Sequence, residues 1–173
     1  MRAHFVRQQA EALAERSGVA EPPIDVIRVA EVLGLHVTAE DLGPGVSGLL
    51  VNNGTHAYIC VHKDDAETRR RFTVAHEIGH YLLGHQFRGG EHVHVDKGNF
   101  ISQRGPRSSA GVDPMEIEAN QFAASLLMPS RLLRRQAAAC GAPLLDSDVS
   151  ALANGFKVSE QAMTIRLSTL GLL

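Results

Sequence analysis

The chain contains no tryptophan, only two cysteines among its 173 residues, and no long apolar segment. Cys60 and Cys140 lie far apart, and two cysteines do not make the disulfide framework that holds small secreted domains together. No apolar run approaches the roughly 20 residues that a membrane-spanning helix requires. The amino-terminal residues are amphipathic and lack an apolar signal core. We therefore expect a soluble protein without membrane association, located by default in the cytoplasm.

A large excess of charge is also missing. The formal net charge is −2, charged residues make up 21% of the chain, and hydrophobic residues make up 44%. No global positive field attracts nucleic acid, so DNA binding would have to depend on a local basic patch. The length suffices for one hydrophobic core. This composition is ordinary for a globular protein and leaves both enzymes and binding modules open.

The hydrophobic periodicity changes along the chain from helix to strand and back to helix. Two amphipathic helices are predicted first, and Gly34 ends the second. Runs of period two follow at residues 35–38, 46–51 and 57–61. The Asn-Asn-Gly-Thr segment at 52–55 is typical of a hairpin turn. The sequence therefore predicts a small antiparallel sheet of about three strands.

Two long helices are predicted on either side of an irregular segment. The first covers residues 66 to about 85, with Asp64 as the start of a capping box. The second begins at Asp113-Pro114, with proline at its favoured first position. Residues 88–112 are rich in Gly, Ser, Arg and His and have no sustained period. A loop of that length in a compact domain is usually functional or disordered.

Residues 76–80 read His-Glu-Ile-Gly-His within the first of these long helices. Residues four apart share one helical face, so the imidazoles of His76 and His80 can reach a single ion. The carboxylate of Glu77 stands beside that ion and can take a proton from a metal-bound water that attacks a peptide carbonyl. Imidazole and carboxylate ligation at an open site favours zinc. The spacing therefore predicts a zinc-dependent peptide hydrolase.

A catalytic zinc ion takes three protein ligands and leaves one position for water. A third histidine at the short spacing of the metzincins is absent, because Gln86 occupies that position. A glutamate of the second long helix is the alternative, and Glu116 has Asn120 four residues later on the same face, where it could orient a ligating histidine. Glu118 lies about 200° around the helix from Glu116 and is expected to face solvent. It stays open as the alternative third ligand.

Two segments resemble the signatures of the ImmA/IrrE family of metallopeptidases. They are RRFTVAHEIGHYLL at residues 70–83 and EIEANQFAASLLMP at residues 116–129. The resemblance covers roughly residues 20–135 and implies a thermolysin-like, gluzincin-like core. Members of that family cleave or inactivate a helix-turn-helix repressor. In the family, two histidines and a glutamate bind zinc and a second glutamate is the base; the matching residues here are His76, His80, Glu116 and Glu77.

Four further side chains are candidates for contact with the substrate. His85, His92 and His94 lie between the two motifs and could polarise the substrate carbonyl as oxyanion donors. A solvated loop residue is the simpler interpretation of each. Tyr58, on the last strand before the active-site helix, is the fourth candidate, with packing as its alternative role. The strand at residues 55–61 is predicted to be a free sheet edge to which an extended peptide could add.

Residues 148–167 follow a helix-turn-helix outline, with Ser159 capping the second helix. Lys157 and Arg166 are the only nearby cations. Two cationic side chains are too few to bind the DNA phosphate backbone well, so DNA binding is not expected. The alternative is a helical subdomain that packs on the catalytic part or recognises a repressor. We therefore predict a zincin-like metallopeptidase domain over residues 1–135 and a helical, helix-turn-helix-like subdomain over residues 136–173.

Together these patterns predict an α+β fold, mostly helical, with a small sheet beside the helix that carries the two histidines. The predicted function is a zinc-dependent endopeptidase acting on a protein, in particular a helix-turn-helix repressor or antitoxin. One alternative is a non-catalytic module that sequesters such a repressor, and another is a DNA-binding regulator. The presence of Glu77 argues against sequestration, because a module that only binds does not need a general base.

Overall fold

The computed structural model describes residues 2–18, 20–52, 55–85, 93–96 and 113–173. Within these residues the chain forms helices and a small sheet, which agrees with the predicted α+β class. The helices are α1 (Arg2–Arg16), α2 (Val26–Val32), α3 (Glu67–Leu82), α4 (Pro114–Leu127), α5 (Ser130–Cys140), α6 (Asp146–Phe156) and α7 (Glu160–Thr169). The strands are β1 (Leu35–Glu40), β2 (Gly48–Asn52), β3 (Ala57–His62) and β4 (Val93–Asp96). No helix in the described ranges has both the length and the apolarity needed to cross a membrane.

The sheet is mixed and has four strands in the order β1-β3-β2-β4. Strands β2 and β3 pair antiparallel, as the hairpin signal predicted, but β1 runs parallel to β3, with Leu35 opposite Ala57. The prediction of about three antiparallel strands was therefore wrong in strand number and in direction. Period-two patterns identify strands, but the side on which β1 joins the hairpin depends on tertiary packing.

The fourth strand lies in the segment that was interpreted as irregular. β4 has only four residues, and the alternation of Val93, His94 and Val95 is its sequence signal. His94 lies opposite Leu50 of β2. Such a short run is hard to separate from a loop by periodicity alone.

The predicted free edge at residues 55–61 was also wrong. β3 lies inside the sheet, between β1 and β2, so both of its sides are hydrogen-bonded. In the described part of the sheet, the outer strands are β1 and β4. Any strand added to this sheet would therefore pair with β1 or β4.

Local signals decide where the two long helices begin. Helix α4 begins at Pro114, as predicted, and Asp113 caps it, because its carboxylate accepts a hydrogen bond of 2.9 Å from the Met115 backbone. The capping box predicted at Asp64 was wrong. Helix α3 begins at Glu67 after Ala66, which has no side chain that could cap it.

Helix α3 contacts the sheet on one side and α4 on the other. Gly48 of β2 allows the close approach of the sheet, because a Cβ there would lie 2.3 Å from Thr73 Cγ2. Gly79 allows the approach of α4, because its added Cβ would lie 3.1 Å from Phe122. The core of apolar side chains around α3 includes Ile59, Ile78 and Phe122, all buried.

The carboxyl-terminal helices α6 and α7 contribute to this same core. Ser159 caps α7 as predicted, accepting a hydrogen bond from the Ala162 backbone. The two cations considered for DNA contacts are engaged within the protein. Arg166 is buried and donates to the Met128 carbonyl, and Lys157 pairs with Glu67 on α3. The division of the chain at residue 135 stays a prediction.

Candidate metal centre

Two histidines of α3 point to the same place. His76 and His80 are four residues apart, and both are buried within the stretch of α3 that contacts α4. Their Nε2 atoms are 3.0 Å apart. Both imidazoles can therefore contact one common position.

Glu116, in the first turn of α4, directs its carboxylate toward the same position. Its carboxylate oxygens lie 3.3 Å from His76 Nε2 and 3.3 Å from His80 Nε2. Ligand atoms at zinc–nitrogen and zinc–oxygen bond lengths in a tetrahedral shell would be roughly 3.3 Å apart. The spacing of the three donors therefore fits a small tetrahedral ion.

The hydrogen bond on the far side of His76 supports the same conclusion. His76 Nδ1 donates to the Asn120 Oδ1 at 3.0 Å, because a carbonyl oxygen can only accept. The Nε2 of a neutral His76 then carries a lone pair that faces the carboxylate of Glu116, another acceptor. Two acceptors that face each other in a buried site require a cation or a proton between them. Asn120 is thus the hydrogen-bond partner of His76, a candidate ligand.

His94 joins the centre from the edge strand β4. Its Nδ1 lies 2.9 Å from Glu77 Oε2, and its Nε2 lies 3.1 Å from Glu116 Oε1. The potential ligand atoms of His76, His80, His94 and Glu116 all lie within 4.8 Å of one another. The interpretation of His94 as a solvated loop residue was wrong, because it is a buried residue of a strand.

Glu77 is completely buried and lies next to the two histidines on α3. Both of its carboxylate oxygens are within hydrogen-bond distance of His94 Nδ1. A Cβ added to Gly48 would lie 3.5 Å from Glu77 Oε1. The absent side chain of Gly48 therefore leaves room for this carboxylate.

The electrostatics of the centre are strongly coupled. Burial lowers the pKa of His80 to about 3, so its imidazole is neutral near pH 7 and can act as a ligand. Burial opposes ionisation of Glu116, but the nearby imidazoles of His76, His80 and His94 outweigh that effect and lower the pKa of this carboxyl well below its usual range. Burial also lowers the pKa of His94, yet hydrogen bonds to Glu116 and Glu77 outweigh that effect and raise it to about 10. His94 is thus a cation held between two carboxylates.

A second group of polar side chains contacts His80 at Nδ1, the ring nitrogen that does not face Glu116. His85 Nδ1 is 2.9 Å from His80 Nδ1, and His85 Nε2 is 3.2 Å from Glu118 Oε2. Arg2 of α1 pairs with the other oxygen of Glu118 at 2.7 Å. The interpretations of His85 as a solvated loop residue and of Glu118 as facing solvent were wrong. Helix α1 packs on α4, so Glu118 is largely covered.

Gly84 is the sequence signal for this placement of His85. Gly84 follows the last turn of α3 with a positive φ of 64°, which favours glycine. The backbone N–H of His85 donates to the His80 carbonyl, and that of Gly84 donates to the Tyr81 carbonyl. These two bonds form the Schellman motif, which folds the chain back over the end of a helix.

Of the other two predicted substrate residues, the structure describes only Tyr58, and Tyr58 does not reach the centre. Tyr58 is partly exposed and stacks on His36, with ring centroids 5.4 Å apart. Tyr58 precedes the buried Ile59, and neighbouring residues of a strand point to opposite faces of the sheet. Ile59 pairs with Leu50, and Leu50 pairs with His94, so these three side chains share one face of the sheet. Tyr58 therefore lies on the face opposite the candidate metal centre. His92 lies outside the described residues.

Comparison with known proteins agrees with this arrangement. A model of the IrrE N-terminal-like domain, Peptidase_M78, matches residues 30–168, a span that contains every side chain of the cluster. Among solved structures, a transcriptional regulator from Mycobacterium tuberculosis is similar to 95% of this chain, with a TM-score of 0.62 and 22% identity. That likeness concerns the fold, and this chain spans 46% of the length of the regulator. No curated protein matches the chain significantly.

The extent of the family match decides the assignment. It covers most of the chain, and it includes both segments on which the resemblance to ImmA/IrrE metallopeptidases was based. These segments supply α3 and α4, the two helices whose side chains form most of the cluster. The chain therefore belongs to the family of IrrE N-terminal-like domains, the Peptidase_M78 family.

Proposed function

We propose that the chain is a zinc-dependent endopeptidase, with Glu77 as the general base and His76, His80 and Glu116 as the metal ligands. One observation carries the proposal. A buried carboxylate, Glu77, stands beside two imidazoles whose Nε2 atoms each lie 3.3 Å from the Glu116 carboxylate. Converging nitrogen and oxygen donors with an adjacent base make the arrangement that metal-assisted hydrolysis of an amide requires.

The donors suit zinc, because two imidazoles and one carboxylate leave one position of a tetrahedral shell open. Bound zinc supplies a Lewis acid that makes a coordinated water acidic enough to react near neutral pH. Glu77 accepts the proton of the attacking water and passes it to the leaving amine. His94 Nδ1, within hydrogen-bond distance of both carboxylate oxygens of Glu77, orients this carboxylate.

The sheet supports a binding mode for the substrate. β4 is an outer strand of the described sheet, and it carries His94 into the centre. An extended peptide that adds to β4 by backbone hydrogen bonds would run past Glu77 and Glu116. This replaces the predicted edge at residues 55–61, which lies inside the sheet.

We propose a helix-turn-helix repressor or antitoxin as the substrate. Two facts support this class. The chain belongs to the IrrE N-terminal-like family, and a protein of similar fold is a transcriptional regulator. Direct DNA binding by this chain is the less favoured alternative, because Lys157 and Arg166 are both bound to protein groups. Residues 136–173 would then serve as a helical subdomain that supports the domain at residues 1–135 and contacts the repressor. A cytoplasmic location stays part of the proposal.

The test compares Glu77→Gln with the wild type, using metal analysis, repressor binding and cleavage of a candidate helix-turn-helix repressor. We expect about one zinc ion per wild-type chain. The variant should keep the metal and the partner but lose roughly 100-fold or more of the cleavage rate, because the base is removed. Glu67→Gln is the matched control, since Glu67 is an exposed glutamate of the same helix that pairs with Lys157.

Two outcomes contradict the proposal. A wild-type protein that binds no zinc even after reconstitution would remove the metal centre. Repressor inactivation that persists unchanged in Glu77→Gln would favour sequestration over hydrolysis.

A further inference from the structure

A continuous line of hydrogen-bonding groups extends from the candidate metal centre to the surface of the protein. It begins at His80, passes through His85 and Glu118, and ends at Arg2 of α1. The three distances along it are 2.9, 3.2 and 2.7 Å. The proposed hydrolysis uses neither His85 nor Glu118, although both are largely covered.

The chemistry of Glu118 fixes the direction of every hydrogen bond in this line. An ionised carboxylate only accepts, so His85 must donate to Glu118 from Nε2. A neutral His85 then has a lone pair on Nδ1, which accepts the hydrogen of His80 Nδ1. With its hydrogen on Nδ1, His80 presents the lone pair of Nε2 toward Glu116 and His76.

We propose that His85, held by Glu118, is a positioning residue that fixes the metal-binding tautomer and the ring orientation of His80. This role rests on the proposed metal centre and concerns the residue that contacts one of its ligands. Imidazole ligands normally donate their second nitrogen to a carboxylate, a carbonyl or a water. Here a second imidazole lies between the ligand and the carboxylate.

The backbone places His85 for this role independently of any metal. The Schellman motif at Gly84 returns the chain to the end of α3, so that the backbone of His85 is bonded to the backbone of His80. Glu118 lies on α4, and the packing of α1 covers it. The supporting line therefore joins three helices behind a single ligand.

The two candidate histidine ligands are supported by different groups. His76 donates to the amide oxygen of Asn120, whereas His80 donates to the imidazole of His85. An amide oxygen thus already accepts the hydrogen bond of one candidate ligand. Amide side chains at position 85 can therefore separate the two functions of His85, which are to accept from His80 and to donate to Glu118. His85→Asn keeps an acceptor near the position of Nδ1. His85→Gln keeps a donor near the position of Nε2 and lacks the acceptor that faces His80.

The experiment measures zinc affinity by competition with a chelator for the full chain and its variants. We expect His85→Gln and His85→Phe to weaken zinc binding about 10- to 100-fold, as is typical when a ligand loses its supporting partner. His85→Asn should retain affinity within a few-fold of the wild type. His36→Phe is the matched control, because His36 is an exposed histidine that stacks on Tyr58 and belongs to β1, at the opposite edge of the described sheet from β4.

Equal losses in His85→Asn and His85→Gln would overturn the proposal, since a purely structural role would not distinguish the two atoms. Folded His85→Gln and His85→Phe variants with zinc affinity within about twofold of the wild type would overturn it as well. In that case the proposed peptidase would stand. A wild type that binds no zinc would instead remove both proposals.

A second measurement does not depend on whether the variants fold. Nitrogen-15 NMR of the zinc-loaded wild type reports which imidazole nitrogen carries hydrogen. We expect His80 to be protonated on Nδ1 and His85 on Nε2. A His85 protonated on Nδ1 alone would contradict the line of hydrogen bonds.

Discussion

At the scale of single residues, the contact between β2 and α3 depends on the missing side chain of Gly48. We predict that Gly48→Ala lowers the free energy of unfolding by about 1 to 3 kcal/mol, the usual cost of overpacking a core. The new Cβ would lie 2.3 Å from Thr73 Cγ2, so the Thr73 side chain or one of the two elements must shift. Alanine also lowers the conformational entropy of the unfolded chain, which stabilises the fold by less than about 1 kcal/mol and does not offset this cost. Urea denaturation measures the change.

The double variant Gly48→Ala/Thr73→Ser provides the control for this prediction. Serine at position 73 keeps the hydroxyl and removes the methyl group that the new Cβ would meet. We expect the double variant to recover most of the stability lost in Gly48→Ala. If the two changes were simply additive, the loss would have a cause other than this contact.

Sequence reasoning could predict which residues of the candidate site lie together where the spacing alone fixes the geometry. His76 and His80 share a helical face, and so do Glu116 and Asn120, so their pairwise placement follows from the 3.6-residue period. His94 and His85 could not be identified in this way. The first reaches the centre because β4 pairs with β2, and the second because a helix end turns back at Gly84. Both contacts are tertiary.

At the scale of elements, the start of α4 determines where Glu116 lies. We predict that Asp113→Ala lowers the free energy of unfolding by about 1 kcal/mol, because the N–H of Met115 loses its acceptor. Fraying of the first turn would also displace Glu116 and weaken zinc binding. Chemical denaturation and chelator competition measure the two effects. Asp113→Asn keeps a capping oxygen and should retain most of the stability, and an equal loss in both variants would argue against capping.

The elements themselves were predictable to different degrees. Long amphipathic helices such as α3 and α4 follow from periodicity, and the hairpin of β2 and β3 follows from its turn residues. The pairing of β1 with β3 and the existence of β4 did not follow. Strand order depends on which apolar faces meet α3, and a run of four residues contains too little pattern to specify a strand.

At the scale of the whole molecule, one buried ion pair joins the last helix to the first. Arg166 of α7 donates to the Met128 carbonyl and to Glu11 of α1, and Glu11 also accepts hydrogen bonds from Ser130. We predict that Arg166→Met lowers the free energy of unfolding by about 2 to 3 kcal/mol, because the buried Met128 carbonyl loses the Arg166 donor and the carboxylate of Glu11 loses its cation. Thermal and urea denaturation measure the loss.

Arg135→Met is the control for this comparison. Arg135 pairs with Glu21 at 2.7 Å, slightly closer than the 2.9 Å between Arg166 and Glu11. Both side chains of the Arg135 pair are more than half exposed, so we expect a loss below about 1 kcal/mol. Similar losses in the two variants would mean that burial does not determine the strength of these pairs.

The candidate ligands also have a mechanical consequence for the chain. Two of them lie on α3 and one on α4, and residues 83–113 separate these helices along the sequence. An ion held by all three would cross-link α3 to α4 across this segment, in addition to any part in hydrolysis. Because the ion binds the folded chain and not the unfolded one, metal loading should raise the melting temperature even in a Glu77→Gln variant.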